Sequence, residues 1–239
     1  MTKVTPYKNS KSKKEQITTM FDNIANSYDF LNHSLSLGMD KIWRKKAIKE
    51  LNNNPKNILD IATGTADFAI SSAELTKAQI IGIDISQGML DVGIKKINRK
   101  KLNSRIILQN ADSEKLPFND NFFDAITAGF GVRNFENLNK GLSEMYRVLN
   151  KDGIVAILEP SVPKSFPLKQ LYSIYFQHIL PIVGTLISKD KNAYKYLPES
   201  VEAFPSEEKF ILKLEKIGFK ECKYIPLTFG IVSLYLAIK

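Results

Sequence analysis

The feature that most narrows what this chain can fold into is a rhythm that begins after Pro55. Short apolar runs, each about one strand long, alternate with segments long enough for a helix. NILDIA (57–62), AQIIGID (78–84), RIILQN (105–110), FFDAITAGF (122–130) and GIVAILEP (153–160) read as buried strands, with helices expected over 67–75, 86–101 and 137–149. Strands alternating with helices at this spacing imply right-handed βαβ units, and therefore an α/β fold built on a doubly wound, mostly parallel sheet covered on both faces. A further helix (206–217) precedes GFKECKYIPL and FGIVSLYLAI, which read as a closing pair of strands, antiparallel pairing being one option, and bring the sheet to seven.

Upstream of the rhythm, residues 16–54 carry two helical patterns, Ile17, Met20, Phe21 and Ile24 on one face and Ile42, Ala47, Ile48 and Leu51 on a later one, around the turn-rich connector YDFLNHSLSLGMDKIW (28–43). The first 15 residues are polar and lysine-rich and are expected to be a disordered basic tail. Residues 16–54 then form a helical N-terminal unit and 55–239 the α/β domain, with 161–205 as an insertion after the fifth strand. That insertion contains QLYSIYFQHILPIVGTLIS (170–188), long enough on paper to span a bilayer. Its Gln170, Ser173, Gln177, His178 and central Pro181 point instead to an interior or interfacial segment. A chain of 239 residues can remove roughly 70–75% of its surface from water in one core, so no staple is required. The single cysteine, Cys222, excludes an internal disulfide and a cysteine zinc cluster, and two histidines, His33 and His178, are few for a histidine metal site. Five lysines before residue 15 with no apolar stretch after them are unlike a secretory signal, which makes a reducing cytoplasm the default location.

The chemistry concentrates at strand ends. In LDIATGTADF (59–68) a strand ends at Asp60 and turns through Gly64 into a helix. Ligands of open α/β sheets bind beyond such carboxyl ends. A dinucleotide fold would set Gly-x-Gly-x-x-Gly here to cradle a pyrophosphate; this chain has Gly64, Ala66 and Ala69 at those positions. A cofactor without a pyrophosphate, such as S-adenosylmethionine, does not need the missing glycines, which counts against a nicotinamide-dependent dehydrogenase. Twenty residues after Gly64, Asp84 ends the second strand, where a carboxylate can accept both ribose hydroxyl protons. At the end of the third, NADSEKLPF (110–118) offers Asp112 and Ser113 to an adenine amino group and Phe118 to the face of the base.

These residues resemble the class I S-adenosylmethionine methyltransferases, and within them the ubiquinone/menaquinone biosynthesis C-methyltransferases. YDFLNHSLSLGMDKIW (28–43) is similar to that family's Tyr-Asp-x-Met-Asn…Ser…His-x-x-Trp, AGFGVRNF (128–135) to its Phe-Gly-Leu-Arg-Asn box, and RVLNKDGIVAILEPS (147–161) to its Arg-Val-Leu-Lys-Pro-Gly-Gly…Glu-x-Ser. The resemblance runs over about residues 15–239. Departures are Leu31 for Met, Asp40 for His, Asn150-Lys151-Asp152 for Lys-Pro-Gly, Ala66 for the second glycine of Gly-Thr-Gly, and Gly129 where some members carry Ser. The resemblance implies S-adenosylmethionine bound by Gly64, Thr65, Asp84, Asp112, Ser113 and Gly129, with S-adenosylhomocysteine as product and no metal. It also implies catalysis by Arg133, Asn134 and Tyr28, with the N-terminal unit as a lid. Arg133 would stabilise a developing oxyanion while Asn134 and Tyr28 orient a water or the hydroxyl; the alternative for Arg133 is a structural pair with Asp29 or Glu159. His178 is the other conceivable base. The implied substrate is a prenylated quinol, demethylmenaquinol in the first place and a benzoquinol as the alternative. Leu171, Tyr172, Ile174, Tyr175, Ile179, Leu180, Val183 and Leu186 of the insertion could line a slot for its tail or simply pack a capping helix.

Net charge is the one abnormal quantity. The formal +9 arises because residues 3–14, 41–49 and 95–105 hold 16 basic groups and no acid, leaving 18 basic against 25 acidic residues elsewhere. A nucleic-acid methyltransferase would explain basic charge, but base amino-methylating enzymes carry an Asn-Pro-Pro-Tyr type of box where this chain has GFGVRN, and Cys222 lies far from the strand end where a cytosine C5 nucleophile belongs. Nucleic acid is therefore not an expected partner. Basic patches suit peripheral contact with the anionic inner face of a membrane, each nearby Lys or Arg contributing on the order of 1 kcal/mol. A homodimer is compatible with the same reading.

Overall fold

The computed structural model describes residues 4–7, 9–174, 191–205 and 207–239. The rhythm after Pro55 becomes β1 (Asn57–Ile61), α3 (Asp67–Leu75), β2 (Gln79–Asp84), α4 (Gln87–Arg99), β3 (Ile106–Asn110), β4 (Phe123–Gly129), α5 (Leu138–Val148) and β5 (Leu149–Pro160). A short helix, α6 (Leu168–Ile174), and α7 (Lys191–Ala203) belong to the insertion; α8 (Glu208–Ile217), β6 (Lys220–Leu227) and β7 (Val232–Ile238) close the chain. The seven strands run β3-β2-β1-β4-β5-β7-β6, parallel through β5, with β7 antiparallel between β5 and β6. The strand order reverses direction between β1 and β4, and the crevice at such a switch point is where a ligand enters.

Alternation on the strands sorts residues between two cores. Ile58, Ile80, Ala125, Ala156 and Leu234 face α2 (Met39–Lys49), α3 and α4; Leu59, Ile83, Ile126, Ile157 and Tyr235 face α5 and α8. Asp60 and Thr127 share a register position on the first of these faces, and Thr127 Oγ1 donates to Asp60 Oδ1 at 2.7 Å. Thr63 Oγ1 donates to the other oxygen at 2.6 Å. Burial pushes the Asp60 pKa up to about 6 in spite of those donors.

The N-terminal unit differs most from expectation. Helix α1 (Lys13–Leu35) takes in the last three residues of the segment expected to be a tail, because Ser12 and Glu15 form a capping box. Ahead of it, Tyr7 N donates to Gln16 Oε1 at 2.9 Å, and Val4 and Tyr7 pack against the α1 core. The connector expected over 28–43 is mostly helix: α1 continues through Leu35, and only Ser36 and the left-handed Leu37 and Gly38 separate it from α2. Tertiary packing of a long amphipathic face overrides the turn preference of Asn32 and Ser34. On α2, Trp43 and Arg44 turn inward, whereas Ile42, expected on the buried face, is exposed. Ile17, Met20, Ile24 and Ala25 of α1 pack against Met89 of α4 and Ala193 and Tyr196 of α7. Asp22 pins this arrangement by accepting from Ser86 Oγ (2.6 Å) and Gly88 N (3.0 Å) at the start of α4.

No helix among the described residues is long and apolar enough to cross a membrane. His178, Tyr175, Ile179, Leu180, Val183 and Leu186 lie outside the described residues.

Candidate functional site

Two neighbouring cavities open at the carboxyl ends of β1 and β4. The first is lined by Gly64, Asp84, Asp112, Ser113 and Gly129, as the sequence suggested, together with Lys14, Ile17 and Met89. The exit from β1 is held in an uncommon shape, with Ala62, Gly64 and Ala66 all at positive φ. This turn carries Gly64 N to Asp84 Oδ2 (2.9 Å), while Ser86 N donates to Asp84 Oδ1 (2.9 Å). Each carboxylate oxygen keeps a second lone pair for a hydroxyl from the cavity. Burial pushes the Asp84 pKa up to about 6, its backbone donors working the other way. Gly131 is required for closeness: a Cβ there would stand 2.4 Å from Ala62 Cβ. Helix α1 reaches across this cavity at its first turn, where Lys14 Nζ lies 2.6 Å from Asp112 Oδ2.

Two expected cofactor contacts are not made by the cavity wall. Thr65 is almost fully buried, its hydroxyl on Asp29 Oδ1 and accepting from Lys96 Nζ at 3.2 Å. Phe118 packs edge-on against Phe123, ring centroids 5.0 Å apart, within the core beside α5. Both turn away because a partner fixed by another element claims them.

The second cavity holds about 640 Å³ and is mostly apolar, with Met20, Ile24, Trp43, Leu171, Tyr196 and Ile231 among its walls. Leu171 and Tyr172 line it as expected of a tail slot; Ile174 is exposed instead. Much of the rest of the wall comes from α1 and α2, with Val232 at the start of β7, none of which was expected in a tail slot. Phe21, Tyr28, Phe130 and Asn134 form the wall common to both cavities.

Around that wall the three expected catalytic side chains are placed differently. Arg133 takes the structural pair with Glu159: Nη1 donates to Oε2 at 2.9 Å and the backbone N to Oε1 at 3.2 Å, with Nη1 also on Phe130 O and Nε on Ser200 Oγ. The Arg133 side chain is 8% exposed and Glu159 fully buried, and burial raises the Glu159 pKa despite the guanidinium beside it. Arg133 still lines the large cavity. Asp29, its other expected partner, pairs with Lys96 at 2.7 Å. Asn134 Oδ1 accepts from Tyr196 OH at 3.0 Å, and its buried Nδ2 has no hydrogen-bond partner among the described residues. Tyr196, on α7, was missed by sequence reasoning because nothing local links positions 62 residues apart. Burial raises the Tyr28 pKa, so its phenol stays protonated. Among the described residues, His33, Asp40 and Asp67 are grouped closely enough to hold a metal ion. Arg44 Nη2 sits 2.7 Å from Asp40 Oδ2 and Lys96 Nζ 2.5 Å from Asp67 Oδ1, so cations of the chain itself neutralise these carboxylates. Asp40, where the resembled family has His, is thus an anchor of the ion-pair network at the α1–α2 turn.

Residues 9–239 match the model of the ubiE/COQ5 methyltransferase family. The chain belongs to that family. Members with similar sequences include a demethylmenaquinone methyltransferase of Bacteroides fragilis, 50% identical over 239 residues that cover 99% of this chain and 98% of the relative. A ubiquinone/menaquinone biosynthesis C-methyltransferase UbiE of Geotalea daltonii is 45% identical over 230 residues, covering 95% and 97%. The fold is shared with a solved SAM-dependent methyltransferase of Thermotoga maritima, with a TM-score of 0.66 at 20% identity over 93% of this chain and 99% of that one.

Proposed function

We propose that this ubiE/COQ5 family member transfers the methyl group of S-adenosylmethionine to a ring carbon of a prenylated quinol, converting demethylmenaquinol to menaquinol and releasing S-adenosylhomocysteine. The observation that carries the reading is the shared wall: a cavity with a nucleoside-type carboxylate meets a large apolar cavity at Tyr28, Phe130 and Asn134. The family membership and the name of the Bacteroides fragilis relative support the choice of quinol. The Geotalea daltonii relative is named for both quinones, which keeps the benzoquinol of ubiquinone biosynthesis as the alternative.

The residues of the first cavity fit the cofactor. Asp84 would accept the ribose hydroxyls, Gly64 and Gly129 would let the cofactor approach the chain, and Asp112 and Ser113 would hold the adenine with Lys14 beside them. The cofactor supplies an electrophilic methyl on a positively charged sulfur, so no metal is needed. What the protein contributes is alignment, which accounts for up to about 7–11 kcal/mol in the best intramolecular models. The quinol ring carbon gains nucleophilicity as the neighbouring hydroxyl gives its proton to water; the carbon–methyl bond forms as the sulfur–methyl bond breaks, and the ring carbon then gives its own proton to water to restore the aromatic quinol. Asn134 Nδ2, buried and without a partner among the described residues, is the donor for that oxygen, and the buried phenol of Tyr196 holds the amide in the orientation that presents it. Tyr28, kept neutral by burial, orients the hydroxyl rather than removing its proton. Arg133 adds positive potential at the same wall from within its pair with Glu159. Helix α1 acts as the lid, its Lys14 meeting Asp112 across the first cavity. The reading includes a cytoplasmic enzyme in peripheral contact with the membrane that holds its substrate, and no nucleic-acid partner.

The test is methyl transfer from labelled S-adenosylmethionine to demethylmenaquinol and to the benzoquinol analogue by the purified chain. Transfer to neither defeats the proposal; transfer only to the benzoquinol selects the alternative. Asn134→Leu is expected to lower kcat roughly 10–150-fold, the worth of a hydrogen bond to a charged group, with cofactor affinity held within about a factor of two. Wild-type kcat in a folded Asn134→Leu would remove the donor role.

A further inference from the structure

We propose that the mouth of the large cavity docks on the surface of an anionic phospholipid bilayer through a crown of exposed apolar side chains, so that the quinol enters without crossing water. This deepens the functional reading and rests on it for the substrate, but its surface is identified by observations of its own. The elements around the mouth all lie at the carboxyl end of the parallel strands: the α1–α2 turn, the segment after β5 and the β6–β7 loop, which is placed there by the Pro160 and Val232 register pair. They are tied to one another, since Trp43 Nε1 donates to Thr228 Oγ1 at 2.8 Å and Ser161 Oγ donates to Gly230 O at 2.8 Å. Each ends in a large apolar side chain that points to solvent. Leu37 is 89% exposed, Phe166 81%, Phe229 76%, Leu171 59% and Ile42 58%, and Leu37 and Leu171 also line the cavity itself. Single exposed apolar residues are ordinary, whereas several on mutually bonded elements at the same end of the sheet as a greasy opening mark an interaction site.

Charge selects a bilayer as the occupant. Lys41, Lys45 and Lys169 are exposed beside Ile42 and Leu171, and no acid stands between residues 41 and 49. The other basic segments are differently disposed. In 95–105, Lys96 pairs with Asp29 and Asp67, Lys100 with Glu74, and Arg105 donates to Thr76 O and Ala78 O. That segment also joins the end of α4 to the start of β3, at the opposite end of the sheet from the cavity mouth. In the N-terminal segment Lys13 Nζ donates to Arg133 O and Phe135 O, and Lys14 to Asp112. Much of the basic charge that gives the chain its +9 is therefore turned inward or away, and contact falls to apolar insertion at the mouth with a few flanking lysines.

The experiment is sedimentation of the full chain with vesicles of phosphatidylglycerol and phosphatidylethanolamine, without substrate, comparing wild type, Ile42→Ser/Phe229→Ser and, as a control, Ile107→Ser, which removes a 63% exposed side chain on the far strand β3. The double variant is expected to bind at least about tenfold more weakly and the control like wild type, with both melting as wild type does. The double variant should also methylate a short-tailed, water-soluble quinol analogue at the wild-type rate while losing activity on long-tailed quinol in vesicles. Equal vesicle binding by the double variant and wild type would overturn the proposal, as would a wild type that does not sediment with vesicles at all. A double variant that turns a dimer into a monomer with vesicle binding unchanged would assign the face to a second copy of the chain. Because binding is read without substrate, a wild type that binds vesicles but methylates no quinol would sink the functional reading and leave the docking face standing.

Discussion

Replacing Arg133 tests its structural pair with Glu159 and, through a second variant, the catalytic role proposed for it. Glu159 is fully buried and takes two donors from Arg133, so truncation removes its only charged partner and leaves the carboxylate with the backbone donors of Val132 and Arg133. Removing one partner of a buried ion pair costs roughly 3–5 kcal/mol. At this chain length each kcal/mol moves Tm by roughly 2–4 °C, so Arg133→Ala should melt about 6–20 °C below wild type. The loss has a definite pH dependence. Burial already raises the Glu159 pKa, and removal of the guanidinium raises it further, so the folded variant binds more protons than the unfolded chain. Its destabilisation is therefore largest at about pH 8 and shrinks toward about pH 5, as the folded-state carboxyl takes up its proton while that of the unfolded chain stays largely ionised. Arg133→Met combined with Glu159→Gln removes both charges together and should recover most of the stability. The kcat of that double variant then reads what Arg133 contributes to the reaction: a residual loss of roughly 10–150-fold is expected if its charge acts on the quinol oxygen. Thermal melts at the two pH values and single-turnover methyl transfer are the measurements. An Arg133→Ala melting within about 2 °C of wild type at the higher pH would refute the stability argument, and a double variant with wild-type kcat would reduce Arg133 to scaffold.

Two further outcomes follow from the first cavity. In the proposed cofactor site the carboxylate form of Asp84 is the acceptor for the ribose hydroxyls, and burial raises its pKa to about 6, so S-adenosylmethionine affinity should strengthen as pH rises through that value; calorimetry giving a flat profile, or one unchanged by Asp84→Asn, would remove Asp84 from the cofactor site. Gly131→Ala places a Cβ 2.4 Å from Ala62 Cβ against a left-handed turn, and should cost about 1–3 kcal/mol of stability and weaken cofactor binding together. A variant that melts and binds like wild type would show that the β1 exit yields at no cost.

What could be read from the chain was what neighbours in sequence dictate. The apolar runs named five strands to within a few residues, Asp67–Leu75 was bounded correctly as a helix, and the closing pair paired antiparallel, because local periodicity reports which face is buried. The stations Gly64, Asp84, Asp112, Ser113 and Gly129 line one cavity because each follows a strand of the same parallel sheet, and that topology sends every strand end to one edge. The turn-rich connector misled, since Asn32 and Ser34 sit in a helix whose other face is buried.

Tertiary packing decided the rest. Arg133 had two acids within plausible reach, and only the docking of α1 on α4, which gives Asp29 to Lys96, leaves Glu159 as its partner. Thr65 and Phe118 sit in motifs yet turn into neighbours supplied by Asp29 and Phe123. Tyr196 and the wall of the large cavity come from segments up to about two hundred residues apart, whose meeting no window of sequence contains. The sequence alone determined the sheet and where on it chemistry could occur, since those follow from period and turn. The choice of partner for each charged or polar side chain depends on distances that exist only after the helices have packed, and that choice separates a catalytic group from a structural one.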